Sequence, residues 1–154
     1  MNTETQTKDY QKSVIIKANQ IGVFKAVTER IDEWWGEVDI QPDADDVKFR
    51  VSFGEAFWRF RVADFELNKR VSWECIESNQ VHAGLRGIRE EWLGTKLHWE
   101  LIGNSDDQTK LSFTHEGLVP DFNCYEVCSD AWGFFIGNSL KALVESGTGQ
   151  PELI

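Results

Sequence analysis

The 154-residue sequence has few cationic side chains, no long apolar run and few cysteines. It contains 16 Lys and Arg against 26 Asp and Glu, which gives a formal net charge of −10. Such a chain is unsuited to phosphate backbones and anionic membrane surfaces, because both attract clustered positive charge. No stretch reaches the roughly 20 apolar residues that a membrane-spanning helix needs, and residues 1–12 lack the apolar segment of a secretion signal. We therefore expect a cytosolic protein that binds neither nucleic acid nor membrane.

The three cysteines form an odd set and give no sign of a disulfide framework. Without a secretion signal, reduced thiols are the expected state. Cys124 and Cys128 lie four residues apart on a predicted helix, so their thiols share one face, as two metal ligands would. A structural zinc site needs four ligands, however, and Cys75 and the three histidines are scattered without paired spacing. We expect buried, inert thiols and no metal.

Short catalytic motifs are also missing. The sequence has no glycine-rich phosphate loop, no nucleophile elbow and no HExxH, and residues 147–149, Gly-Thr-Gly, follow a predicted helix instead of starting one. Glu90 and Glu91 are adjacent, so on a strand they would point to opposite faces and could not act as the paired carboxylates of a glycosidase. The sequence therefore predicts no cofactor and shows no complete catalytic site.

Tryptophan is the residue that this chain has in unusual number. Hydrophobic residues make up 41% and charged residues 27%, as in ordinary globular proteins, and a chain of this length can bury roughly 70% of its extended surface. Each indole adds a large apolar ring and one N–H that needs an acceptor when buried. These residues suit a thick core or a flat-walled pocket. The seven are Trp34, Trp35, Trp58, Trp73, Trp92, Trp99 and Trp132.

Hydrophobic periodicity predicts strands followed by one long helix. A helical stripe from Gln20 to Trp35 predicts one bent helix or two short ones, which Gly36 ends. A second stripe after Asp121 predicts a helix of more than twenty residues that ends near Ser146 and Gly147. Each apolar face must be covered by another element, so an α+β fold with a meandering sheet is expected. Alternation of apolar and polar residues marks strands at 10–17, 47–53, 57–66, 70–78, 91–102 and 110–119.

This order of elements and several short motifs resemble the START-like superfamily, also called SRPBCC, across residues 8–151. The motifs of residues 34–36 (Trp-Trp-Gly), 91–97 (Glu-Trp-Leu-Gly-Thr-Lys-Leu) and 111–118 (Leu-Ser-Phe-Thr-His-Glu-Gly-Leu) resemble the branch related to the activator of the ninety-kilodalton heat-shock protein ATPase. The resemblance implies the α+β helix-grip fold, in which a curved antiparallel sheet of about six or seven strands wraps around a long C-terminal helix. It places short helices between strands 1 and 2, and a single domain at residues 9–151 after a flexible leader at 1–8.

The resemblance also implies a cavity between sheet and helix, which in various relatives holds lipids, polyketides or other apolar compounds. We therefore expect this chain to bind a small hydrophobic molecule there. A fold alone does not identify the ligand, because one fold serves many functions. The candidate lining residues are Trp73, Trp99, Phe113, His115, Cys128, Trp132 and Ile136.

Several of these candidates have two interpretations. His115 continues the apolar face of Leu111 and Phe113, so it could contact a ligand or act as a base in an enzyme that resembles polyketide cyclases. It could equally be a core histidine bonded to a backbone carbonyl or to a thiol of the facing helix. Trp99 and Trp132 could be flat pocket walls or ordinary core. A chaperone-interacting module is a further alternative function.

Overall fold

The architecture comes from a computed structural model, which describes residues 9–42 and 47–151. The leader predicted at residues 1–8 lies outside these described residues. One strand and two short helical segments come first, and six strands and the C-terminal helix follow. The first part comprises β1 (Tyr10–Ile16), α1 (Gln20–Glu29) and a 3-10 turn (Ile31–Glu33). The strands that follow are β2 (Glu37–Pro42), β3 (Val47–Phe53), β4 (Ala56–Glu66), β5 (Arg70–Asn79), β6 (Lys96–Ser105) and β7 (Gln108–Glu116).

The seven strands form one antiparallel sheet in the order β1-β7-β6-β5-β4-β3-β2. The chain therefore meanders from β2 to β7, and β7 then pairs with β1 from Tyr10↔His115 to Ile16↔Thr109. One face of the sheet carries the alternating apolar residues that periodicity predicts, and the C-terminal helix covers it. The predicted α+β helix-grip fold is confirmed.

Two stretches of the sheet differ from the sequence-based prediction. The strand β2 was not predicted, although the alternation of Val38 and Ile40 was available as a signal; it is a short edge strand, and Ile40 is largely exposed. The strand predicted from residue 91 begins only at Lys96. Gly94 has a positive φ of 85° and its N–H donates to the Cys75 carbonyl at 2.9 Å, which holds residues 91–95 in turns.

The predicted N-terminal helix is divided into two short segments. Asn19 caps α1, and its side-chain oxygen accepts a hydrogen bond from the Gly22 N–H at 2.9 Å. The helix ends at Glu29, and the 3-10 turn after it redirects the chain toward the interior. Ile21, assigned to the apolar stripe, is in fact exposed. Trp34 is held in the interior because its indole N–H donates to the Ala26 carbonyl at 2.8 Å.

The C-terminal helix spans residues 125–146 in three continuous parts, α2 (Tyr125–Phe134), a π-helical segment (Phe135–Leu140) and α3 (Lys141–Ser146). Gly147, with a φ of 92°, ends it in the left-handed conformation that favours glycine. Phe135, Ile136, Ser139 and Leu140 of the π-helical segment are all buried against the sheet. None of the helices within the described ranges is long and apolar enough to cross a membrane.

Ser139 anchors the residues that follow the C-terminal helix. Its hydroxyl donates to the Trp34 carbonyl at 2.7 Å and accepts from the Gln150 N–H at 2.7 Å, and the residue is fully buried. A Cβ atom at Gly149 would overlap the Glu33 carbonyl oxygen, so the chain passes this point only as glycine. The terminal segment is thus fixed to the 3-10 turn that orients Trp34.

Replacing Ser139 by alanine is expected to lower the free energy of unfolding by about 1 to 2 kcal/mol, because a buried carbonyl and a backbone N–H lose their partner. Urea unfolding followed by circular dichroism measures the loss. Ser13→Ala is the control: Ser13 is exposed and its hydroxyl bonds the Ser112 hydroxyl at 3.3 Å, so a change within about 0.5 kcal/mol is expected there. Equal effects of the two substitutions would contradict the anchoring role.

Candidate functional site

The interior between sheet and helix is filled largely by indole rings. Ring contacts connect all seven tryptophans into one group, which we call the tryptophan cluster. Trp35 lies at its centre, 2% exposed. Its ring centroid is 4.9 Å from that of Trp132 on α2 and 6.5 Å from that of Trp73 on β5. The space that the family resemblance assigns to a ligand is thus occupied in part by the protein's own aromatic side chains.

A cavity of about 410 Å³ remains on one side of the tryptophan cluster, and we call it the aromatic cavity. Its walls come from the ends of β3 and β4, residues 80–92 and the buried face of α2. Trp35, Trp58, Trp92 and Trp132 are among the residues that line it. The Trp92 and Trp132 rings are stacked at 5.7 Å and 15°, and Trp58 lies 4.9 Å from Trp92. The walls of the cavity are therefore largely aromatic and apolar.

Local structure brings these four rings together from distant positions. Trp58 lies on the inward face of β4, and Trp132 lies on the buried stripe of α2. Trp35 follows the 3-10 turn, where its N–H donates to the Ile31 carbonyl at 2.8 Å. Trp92 lies in the turns before β6, and its carbonyl accepts hydrogen bonds from the N–H and the hydroxyl of Thr95 at 2.9 and 2.6 Å.

Three polar side chains form a small cluster in the wall of the aromatic cavity. The Gln80 amide oxygen accepts a hydrogen bond from the Trp58 indole N–H at 3.2 Å and lies 3.8 Å from the Cys128 sulfur. The Cys128 thiol also lies 2.7 Å from the sulfur of Cys124. All three residues are buried. We refer to Gln80, Cys124 and Cys128 as the thiol–amide cluster.

The two thiols of this cluster have different acidities. A hydrogen bond from Cys128 lowers the pKa of Cys124, with a smaller contribution from Gln80, and these outweigh the effect of burial. The same contact raises the pKa of Cys128, to which burial adds. Burial raises the pKa of Cys75, outside the cluster, to about 12. Glu91 fixes the start of α2, where its carboxylate accepts from the backbone N–H groups of Asn123 and Cys124 at 2.8 and 3.1 Å.

Both ring nitrogens of His115 are bonded within the core. The Trp132 indole donates to Nδ1 at 3.1 Å, so the ring proton resides on Nε2, which donates to the Thr95 hydroxyl at 2.9 Å. Complete burial lowers the pKa of His115 to about 3, so the ring is neutral near pH 7. Of the two interpretations of His115, the geometry agrees with the core histidine, although its partners are an indole and a hydroxyl. It orients Trp132 and, through Thr95, the Trp92 turn.

Two of the predicted site residues, Cys128 and Trp132, line the aromatic cavity. Trp99, Phe113, His115 and Ile136 lie in the packed interior and do not line it, and Trp73 lies on the far side of Trp35. The prediction omitted Trp35, Trp58, Trp92, Gln80 and Cys124, which do line it. The sequence held a signal for each of the three indoles: Trp35 ends the first helical stripe, Trp58 alternates within β4, and Trp92 belongs to the motif of residues 91–97.

A second depression, which we call the apolar groove, lies on the opposite side of the tryptophan cluster. It encloses about 490 Å³ between the end of α1, the 3-10 turn and strands β2 to β5. Ile40, Val47 and Phe65 line it and are largely exposed. Trp73 belongs to this groove and Trp35 to the aromatic cavity, and their rings stack with an interplanar angle of 7°. These two indoles therefore separate the two spaces.

Known proteins resemble this chain in structure more than in sequence. No protein-family model and no curated protein sequence matches it. The Aha1 dimer from Colwellia psychrerythraea is 25% identical with a TM-score of 0.71, over 92% of this chain and 99% of that one. DynU16, from the dynemicin biosynthetic locus, is 20% identical with a TM-score of 0.70, over 95% of this chain and 51% of that one. The Zhui aromatase/cyclase from Streptomyces sp. R1128 is 14% identical with a TM-score of 0.55, over 93% and 99%.

Proposed function

Since the chain has the helix-grip fold of the START-like superfamily and resembles its Aha1-like branch, we propose that it binds a small apolar, aromatic molecule in the aromatic cavity. The observation that carries this proposal is a space of about 410 Å³ walled by four indole rings. Aromatic ligands stack on such surfaces with more favourable contacts than aliphatic ones. The volume lies near the lower end of the range of about 300 to 1,000 Å³ for small-molecule pockets, which favours a compact ligand over a long lipid chain.

The thiol–amide cluster supports a ligand with one polar group. Binding pockets are usually apolar with a few polar groups that fix the orientation of the ligand. Gln80 can serve in this way because its amide oxygen is held by the Trp58 N–H and its position is fixed by a backbone hydrogen bond to Arg89 at 2.9 Å. A hydroxyl or carbonyl on the ligand would face this cluster while its rings contact the indoles.

Two alternative functions stay predictions. Zhui is an aromatase/cyclase, which favours a ligand of polyketide-like chemistry; a cyclase mechanism through His115 gains no support from this geometry, because both ring nitrogens are bonded and the residue does not line the cavity. A chaperone-interacting role is supported by the structural similarity to Aha1.

The apolar groove, with exposed Ile40 and Phe65, is the surface on which that role would be tested first.

Filling the cavity with protein is expected to block the ligand. Ala131 lines the aromatic cavity on a half-buried position of α2, so Ala131→Trp places an indole in the space of the ligand. The neutral probe N-phenyl-1-naphthylamine, followed by its own fluorescence, should bind the unmodified chain with micromolar affinity. We expect its affinity for the variant to fall at least about tenfold, a loss of about 1.4 kcal/mol.

The same substitution on the outer face of the sheet is the matched control. Ala63 is exposed on β4, and Ala63→Trp should bind the probe as the unmodified chain does. Val127→Trp, also in the cavity wall, gives an independent test if the first variant unfolds, which urea titration reports. The proposal is wrong if both folded cavity variants bind the probe as tightly as the control.

A further inference from the structure

The sulfur atoms of Cys124 and Cys128 lie 2.7 Å apart in the wall of the aromatic cavity. A disulfide bond is about 2.05 Å long, so the two atoms need to approach by only about 0.7 Å to form one. Cys124 is the N-cap of α2, with φ of −90° and ψ of 1°. Its side chain can therefore adjust from a position at the helix boundary. Cys75, by contrast, lies on β5 and its thiol donates to the Glu77 carbonyl at 3.4 Å.

We propose that Cys124 and Cys128 form a reactive dithiol that reduces an apolar organic hydroperoxide admitted by the aromatic cavity and closes to a disulfide. The proposal rests on the proposed function in one respect, because the peroxide reaches the thiols through the same cavity as the ligand. Both residues line that cavity and are nearly closed to bulk water, with exposed fractions of 0% and 6%. An apolar reagent is therefore favoured over hydrogen peroxide.

The hydrogen bonds assign different tasks to the two sulfurs. Cys128 donates its S–H to Cys124, and this bond, with Gln80, stabilises a thiolate on Cys124. Cys124 is thus the nucleophile, and Cys128 holds a proton beside it. The Trp58 indole N–H donates to the Gln80 amide oxygen and keeps Gln80 in place. The residue beside the two thiols is thus bonded directly to an indole of the cavity wall.

The reaction balances without a metal or cofactor. The Cys124 thiolate attacks the terminal oxygen of the hydroperoxide, the O–O bond breaks, and Cys124 becomes a sulfenic acid. The leaving alkoxide takes the proton of Cys128 and departs as an alcohol. The new Cys128 thiolate attacks the Cys124 sulfur, the disulfide forms, and hydroxide leaves and is protonated by solvent. In sum, two thiols and one hydroperoxide give a disulfide, an alcohol and water.

The test compares two peroxides on the reduced full chain. Cumene hydroperoxide, an aromatic probe, and hydrogen peroxide are added at equal concentration, and the free thiols and intact mass are followed with time. We expect cumene hydroperoxide to close the Cys124–Cys128 disulfide at least about tenfold faster than hydrogen peroxide, identified by peptide mapping. Cys128→Ser should stop at a Cys124 sulfenic acid that dimedone traps, and Cys124→Ser should form no disulfide. Cys75→Ser should react as the unmodified chain does.

The contradicting results separate this proposal from the binding function. If the N-phenyl-1-naphthylamine probe binds but neither peroxide closes the disulfide, the dithiol proposal is wrong and the binding function stands. If the two peroxides react at equal rates, or Cys75 is oxidised as fast as the pair, the cavity does not select the reagent and the proposal is also wrong.

Discussion

Replacing Trp35 by alanine is expected to lower the free energy of unfolding by about 3 to 5 kcal/mol, as truncation of a large buried aromatic residue does. Trp35 is 2% exposed, and its ring contacts indoles on β4, β5, α2 and the turns before β6. Its loss leaves a space that these rigid rings cannot fill. Urea unfolding followed by circular dichroism measures the change.

Phe65→Ala is the matched control for this substitution. Phe65 is also aromatic and contacts Phe24 with a ring separation of 5.4 Å, but it is 55% exposed. Truncation of so exposed a ring is expected to cost about 1 kcal/mol or less. A loss below about 1 kcal/mol for Trp35→Ala would show that the centre of the tryptophan cluster is not the centre of the core.

Between pH 7 and pH 4.5 the protein is expected to lose about 2 to 3 kcal/mol of stability through His115 alone. Its pKa is about 3 in the folded chain against an ordinary value of 6.5, because the ring is fully buried. The unfolded chain therefore binds a proton at pH values where the folded chain does not. The stability is present above pH 6.5 and is lost progressively as the pH falls toward 3.

The slope of stability against pH isolates this effect from that of the carboxylates. His115→Gln keeps a side chain that can accept from Trp132 and donate to Thr95 but does not titrate. The stability that this variant loses between pH 7 and pH 4.5 should therefore be about 2 to 3 kcal/mol smaller than the loss of the unmodified chain. Identical slopes for the unmodified chain and His115→Gln would contradict the burial of a neutral histidine.

Local patterns predicted most of the fold because each element buries one regular face. The alternation of Leu111, Phe113 and His115 places all three in the interior, and the stripe from Cys128 to Leu143 is the buried face of the C-terminal helix. The strand predicted from residue 91 began too early, because alternation alone cannot show that Gly94 adopts a positive φ. Among the described strands β2 lies at the edge of the sheet, and Ile40 is largely exposed there, so two alternating apolar residues were a weak signal.

The site was less predictable, because it depends on contacts between distant parts of the chain. Gln80 lies in an irregular segment, and only the fold brings it to Trp58 and Cys128. Trp99 and Phe113 have the inward orientation that was predicted, but neighbouring indoles cover them and they do not reach the aromatic cavity. The close approach of Cys124 to Cys128 follows from their spacing of four residues. The spacing does not show, however, that the two thiols lie in a cavity wall.

The indole N–H signals in a ¹H–¹⁵N spectrum test the binding site most directly. Trp58 and Trp92 line the aromatic cavity, Trp73 lies on the apolar groove, and Trp34 is bonded to Ala26 on neither surface. On titration with N-phenyl-1-naphthylamine, with signals assigned by Trp→Phe substitution, we expect Trp58 and Trp92 to shift while Trp34 and Trp73 stay in place. Shifts at Trp73 without shifts at Trp58 and Trp92 would contradict binding in the aromatic cavity.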